Sequence, residues 1–168
     1  MGDWSASTKV DLTVVTPPSI YLPSSGPTIF LAGSMCLTDN HHWRDNAVSI
    51  IRSLWFEKVE YDITVFNPRR DGWCDDFERE QTAWNIHHLE AADFIIVHLI
   101  ENSGLSSESL LEIGMYMSNK KTYISIEPNH PKRTILEIHI AKYGSSLLQS
   151  TFIDSIRNIK NEWEKKYE

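Results

Sequence analysis

The run Phe94-Ile95-Ile96-Val97-His98-Leu99 does most to limit what this chain can fold into. It is almost continuously apolar, so it reads as a strand buried on both faces, as in a parallel sheet covered by helices. The small-residue loop Ser103-Gly104-Leu105-Ser106-Ser107 follows, and then a stretch that carries Glu112 and Gly114. That loop leaves the carboxyl end of the strand, the edge where open α/β sheets bind their ligands.

The same pattern recurs along the chain. Ile29-Phe30-Leu31-Ala32 stops at Gly33-Ser34, and Trp43, Ala47, Ile50, Ile51 and Leu54 then fall on one helical face. Ile63 to Phe66 is a second strand, ended by Asn67-Pro68 and followed by a helix around Phe77 to Ala91. Beyond Leu99 the spacing predicts a helix from about Ser107 to Ser118 and a strand over Thr122 to Ile126. A short apolar run from Ile135 to Ile140 and a final helix near Leu147 to Trp163 complete the chain. Strands alternating with helices imply right-handed βαβ units and a mostly parallel central sheet with helices on both faces. Residues 1–27, with Pro17, Pro18, Pro23 and Pro27, read as an N-terminal extension containing a short edge strand over Val10 to Val15. Residues 28–168 then form one domain, because 168 residues suit a single core.

Charge and composition narrow the partners. A net charge of -7 argues against a polymeric nucleic-acid partner, whose binders carry basic stripes. A small ligand with one phosphate needs only local donors. No apolar stretch is long enough to span a bilayer, and the start Met1-Gly2-Asp3-Trp4 lacks the regions of a signal peptide. Two cysteines, Cys36 and Cys74, suit a reducing compartment, so a cytoplasmic location is expected. There is no ligand spacing for a metal, and neither a Walker loop nor a dinucleotide fingerprint, so no cofactor is expected. His41-His42 and His87-His88 read as surface or helix-start residues, and His98 as a core-edge residue near the rim.

Three loops should converge at one rim. Gly33-Ser34 can offer backbone N–H groups and a hydroxyl to an anion or sugar. In the loop Asn67 to Asp76, Arg69 or Arg70 can fork onto a phosphate or carboxylate, Asp71-Gly72 permits a tight turn, and Trp73 offers a flat face for a base. Ser106 or Ser107 can cap the third element's helix, which leaves Glu112 in its first two turns among Leu110, Leu111, Ile113 and Met115, with Gly114 admitting a close neighbour. A carboxylate in such surroundings needs donors or a task. Asp93 opens its strand at the opposite rim and reads as a turn residue bonded to local backbone.

These elements, in this order, resemble the nucleoside 2-deoxyribosyltransferase-like family. The strings that carry the resemblance are Ile29 to Ser34, Val65 to Trp73, Gln81-Thr82-Ala83-Trp84 with Leu89 to Asp93, and Ser107 to Gly114; together they cover roughly Thr28 to Pro128. The resemblance implies a flavodoxin-like (Rossmann-like) fold and cleavage of the N-glycosidic bond of a (deoxy)nucleoside. The 2-deoxyribosyl group passes to another base through an ester on Glu112, or to water in a hydrolase. Hydrolytic relatives act on nucleoside 5'-monophosphates, for which Arg69, Arg70, Ser34 and Ser107 are the donors to test. The third possibility is a nucleotide-binding module without catalysis. Gly33, Trp73 and Asp76 complete the expected binding residues. Many members carry an Asp that assists the leaving base where this chain has Asn85, and an amide delivers no proton near neutral pH. Asp71 or Asp76 is then the substitute. Some relatives also place a Tyr in the first strand, where Phe30 stands here. Relatives assemble as homo-oligomers, and the segment after Tyr143 is the expected interface.

Overall fold

A computed structural model describes residues 11–21, 26–34, 43–55, 62–70, 72, 75–101, 107–118, 121–144 and 147–167. Six parallel strands form one sheet: β1 (Leu12–Val15), β2 (Thr28–Gly33), β3 (Ile63–Phe66), β4 (Phe94–Leu99), β5 (Thr122–Ile126) and β6 (Leu147–Gln149). Their order is β1-β3-β2-β4-β5-β6. The helices are α1 (Trp43–Trp55), α2 (Glu78–Ala91), α3 (Ser107–Tyr116), α4 (Arg133–Tyr143) and α5 (Phe152–Tyr167), and a 3-10 turn at Asp75–Phe77 leads into α2. Setting aside β1, the order is that of the flavodoxin-like doubly wound sheet. The chain steps one way from β2 to β3 and the other way to β4, which opens a crevice at the carboxyl ends of β2 and β4.

Period-two alternation sorts the strands' side chains between two layers. Ile29, Leu31, Val65 and Ile96 face a core completed by Trp43 and Ile51 of α1 and Ile156 and Trp163 of α5. Phe30, Ala32, Ile95 and Val97 face the other, completed by Trp84 of α2, Ile113 of α3 and Ile140 of α4. Every residue of β2, β3, β4 and β5 is buried, which is why these segments lack an alternating polar face in the sequence. The edge strand expected before the first proline is β1, paired with β3 from Leu12↔Ile63 to Val15↔Phe66. No helix among the described residues is long and apolar enough to cross a membrane.

The C-terminal third departs from the sequence reading. The run Ile135 to Ile140 lies within a helix, with Ile140 inward and Ile135 and Ile138 exposed. The long final helix is instead strand β6 followed by α5. The boundary is a capping arrangement: the Asp154 amide donates to Thr151 Oγ1 at 3.2 Å, and that hydroxyl donates to Asp154 Oδ2 at 2.8 Å. In the segment after Tyr143, Ile156, Ile159 and Trp163 form the inward stripe of α5 and cover the chain's own sheet. Asp93 bonds across to the next strand, with its carboxylate accepting from the Thr28 amide and hydroxyl at 3.0 and 2.8 Å. His88, expected at the surface, is 1% exposed, since it sits one helical turn after Trp84 and stacks on that ring at 4.0 Å.

Candidate active site

The crevice is built outward from the end of β2. Gly33 has φ +111°, and a Cβ there would lie 2.3 Å from the His98 carbonyl oxygen, so only glycine lets β2 pass this close to β4. The Ser34 amide donates to His98 O at 2.9 Å, and its hydroxyl accepts from the Ile100 amide at 3.0 Å. Ser34 is 2% exposed. The hydroxyl expected to meet a ligand thus ties the β2 and β4 exits together. The Gly33 carbonyl accepts from Arg44 Nη2 at 3.0 Å and from the Ser109 hydroxyl of α3 at 3.3 Å.

Ser109 and Glu112 are three residues apart on α3 and therefore share a face. Glu112 is half-buried, and burial with the neighbouring Glu108 pushes its carboxyl up from 4.5 to about 7, against the opposing pull of Arg44 and a bond from Asn85. Asn85 Nδ2 donates to Glu108 Oε1 at 3.1 Å and to Glu112 Oε1 at 3.4 Å. Asn85 in turn accepts on Oδ1 from Gln81 Nε2 at 2.9 Å, and the same Gln81 nitrogen donates to Pro68 O at 3.0 Å. Gln81 and Asn85 are both buried on α2, one turn apart.

The loop after β3 is stiffened locally, where Asn67 Oδ1 accepts from the Arg69 amide at 3.2 Å. Arg70 packs over Phe77, 4.5 Å from the ring centroid, and donates to Glu80 at 2.6 Å and Gln81 Oε1 at 3.3 Å. Arg69 reaches Asp45 of α1 at 3.3 Å. Both arginines thus reach carboxylates on helices, Asp45 of α1 and Glu80 of α2. They line an open cleft of about 680 Å³ whose walls include Thr16, Pro17, Asp45 and Asn67, a size suited to a small ligand. Glu112 is not in that wall; Arg70, Gln81 and Asn85 connect the two places.

Of the residues expected to act, Glu112, Asn85 and Arg70 are joined by hydrogen bonds through Gln81, whereas Gly33 and Ser34 belong to a second set held by Arg44. Ser107 is exposed at the start of α3, and Asp76 is exposed in the 3-10 turn. Asp71, Trp73 and Ser106 lie outside the described residues. Phe30, in the position of the relatives' Tyr, is fully buried 6.2 Å from Trp84. Gly114, expected to admit a close neighbour, has nothing within 4 Å of a built Cβ. His98 is a core-edge residue, bonded through Nδ1 to Ser125 Oγ at 2.9 Å, and burial lowers it to about 4, so it is neutral at pH 7. Sequence reasoning missed Arg44, Gln81, Glu108 and Ser109. For Gln81 and Asn85 the signal was available in their spacing of four on one helix.

Comparison with known proteins bears on the fold and the family. A conserved protein from Enterococcus faecalis V583 has a similar fold, with a TM-score of 0.52 and 14% identity over 81% of this chain and 98% of that one. No curated protein matches the chain. The sequence pattern described as nucleoside 2-deoxyribosyltransferase like matches residues 26–130, a span that holds β2, the arginine loop, Asn85 and Glu112. The chain therefore belongs to the nucleoside 2-deoxyribosyltransferase-like family.

Proposed function

We propose that this protein cleaves the N-glycosidic bond of a (deoxy)nucleoside and transfers the 2-deoxyribosyl group to another base through an ester on Glu112. The observation that carries the reading is Glu112 itself: a half-buried carboxyl at the carboxyl-end crevice, held near 7 between a buried cation and a second carboxyl. Partial desolvation suits a carboxylate that must form a bond to the sugar, and the pull of Arg44 keeps part of it ionised at neutral pH.

Asn85 cannot supply a proton to the leaving base, and we give that role to Glu108. One amide nitrogen, Asn85 Nδ2, donates to both carboxyls, which holds Glu108 beside Glu112. Glu112 attacks the anomeric carbon as the carboxylate; the C–N bond breaks, its electron pair leaves with the base, and Glu108 protonates the base nitrogen. An incoming base then attacks the anomeric carbon of the ester, the bond from that carbon to the Glu112 oxygen breaks and releases the carboxylate, and the ring N–H proton of the base returns to Glu108. With water as the acceptor the same two steps give hydrolysis. The arginine-lined cleft supports a 5'-phosphate as part of the substrate.

A homo-oligomer belongs to this reading. Leu111 and Met115 of α3 are 64% and 58% exposed, and Ile138 of α4, over the same sheet face, is 62% exposed. Apolar side chains grouped beside a site favour cover by a second copy. The alternative of a nucleotide-binding module without catalysis draws on Asn85 alone.

Incubation with deoxynucleosides and their monophosphates, with and without a second free base, tests the reading by chromatography of the bases. A new nucleoside is expected; free base and sugar alone would make the protein a hydrolase. Glu112→Ala should abolish turnover, and Glu108→Gln should slow the poorer leaving bases most. Nucleotide-dependent stabilisation without any turnover would leave only the binding module.

A further inference from the structure

Arg44 is a buried cation that the proposed chemistry does not yet use. It stands in the first turn of α1 and is 6% exposed. Its Nε donates to Leu31 O at 3.1 Å, Nη1 to Ser34 O at 3.0 Å and Nη2 to Gly33 O at 3.0 Å. The guanidinium carbon lies 4.8 Å from the centroid of the Trp43 ring, whose indole N–H also reaches Ser34 O at 3.1 Å. All three acceptors are backbone carbonyls, which a neutral donor would satisfy nearly as well. A buried positive charge costs several kcal/mol of lost hydration, and this cost calls for a compensating anion. The carboxylate whose field acts most strongly on Arg44 is Glu112; Asp45 adds to that attraction and Arg69 opposes it.

Two routes run from Arg44 to Glu112. The first is mechanical: Gly33 O accepts from Arg44 on one side and from Ser109 on the other, so the guanidinium fixes the carbonyl on which α3 rests one turn before Glu112. The second is electrostatic, since burial lowers Arg44 only to about 10 and it stays charged throughout the neutral range. We propose that Arg44 is a positioning residue for Glu112, holding α3 in register through Gly33 and keeping the carboxyl ionisable at the pH where it must attack. This rests on the assignment of Glu112 as nucleophile. The other groups facing Glu112 are Glu108, which opposes its ionisation, and Asn85, which favours it; Tyr116, on the same helix, is neutral there because burial raises it. His98, which also feels Arg44, is neutral as well.

The test follows the Glu112 carboxyl by carbon NMR in protein labelled at glutamate, with Glu112→Gln to assign the signal. It needs no turnover. In Arg44→Gln, whose amide still donates to two of the carbonyls, the Glu112 midpoint should rise by about one pH unit, a roughly tenfold lower ratio of carboxylate to carboxyl at a given pH. Arg44→Lys should bring the midpoint back toward the native value while kcat stays about tenfold low, because one ammonium cannot hold three carbonyls in a fixed fork. Arg44→Met serves if the glutamine variant does not fold. A native midpoint in either folded neutral variant overturns the proposal. If the midpoint moves and no substrate turns over, the proposed function fails and the role of Arg44 stands. If substrate turns over with the same acid limb in native protein and Arg44→Gln, the reverse holds.

Discussion

At the scale of single residues, Glu112 makes a stability prediction that is independent of substrate. Its carboxyl is raised from 4.5 to about 7 by burial, Glu108 adding to the effect, so the folded chain binds this proton more tightly than the unfolded chain does. The stabilisation is complete below about pH 4.5 and is lost as pH rises through 7. Glu112→Gln keeps the shape and removes the titration. It should match the native protein near pH 4 and be more stable at pH 8, by about 1–3 kcal/mol, with the upper end trimmed because Arg44 loses its counter-charge. Thermal unfolding at both pH values checks this, and a glutamine variant no more stable at pH 8 would contradict the buried-carboxyl account. Glu112 was legible in the sequence because its place after a buried strand needs no knowledge of partners. Arg44 and Glu108 were not, because an Arg in the first turn of a helix and a Glu one turn before another look like ordinary surface charges until Gly33 O and Asn85 are brought to them.

Among the elements, the join between β2 and β4 carries the most. Gly33 combines φ +111° with a contact that leaves no room for a Cβ, and the obstacle is the backbone of His98 rather than a side chain able to move. Gly33→Ala should therefore destabilise by roughly 3 kcal/mol and lower Tm by roughly 6–12 °C, and it should impair any turnover in the protein that remains folded. A loss below about 1 kcal/mol in thermal unfolding would mean that the β2 exit adapts. The central strands were readable because complete burial leaves an unmixed apolar run. β6 was not, because three residues at a sheet edge give no periodicity, and the marker that separates it from α5 is a Thr-x-x-Asp pattern that the apolar residues around it hide. The internal character of α4 was ambiguous for a related reason: Ile135 and Ile138 are apolar and exposed, so its pattern lacks a polar face.

At the scale of the whole molecule, the exposed apolar side chains among the described residues are unevenly distributed. The sheet face under α1 and α5 is closed by Trp43, Trp55 and Trp163, whereas α3 and α4 turn Leu111, Met115, Ile135 and Ile138 outward. Sedimentation of the native chain should give more than one copy, and the double change Leu111→Glu with Ile138→Glu should give a monomer with its fold retained. A native monomer at high concentration would remove the proposed assembly. Within one subunit, the two buried amides of α2 have a further effect. Gln81 is a strut of fixed length from the Pro68 carbonyl to Asn85, and Asn85 grips the acidic pair. Amides neither gain nor lose protons near neutrality, so this linkage keeps its length while the charges at both ends change. The backbone leaving β3 toward the arginine-lined cleft is thereby tied to the turn of α2 that bonds Glu112, so that neither end can be displaced without loading the other while the amides stay paired.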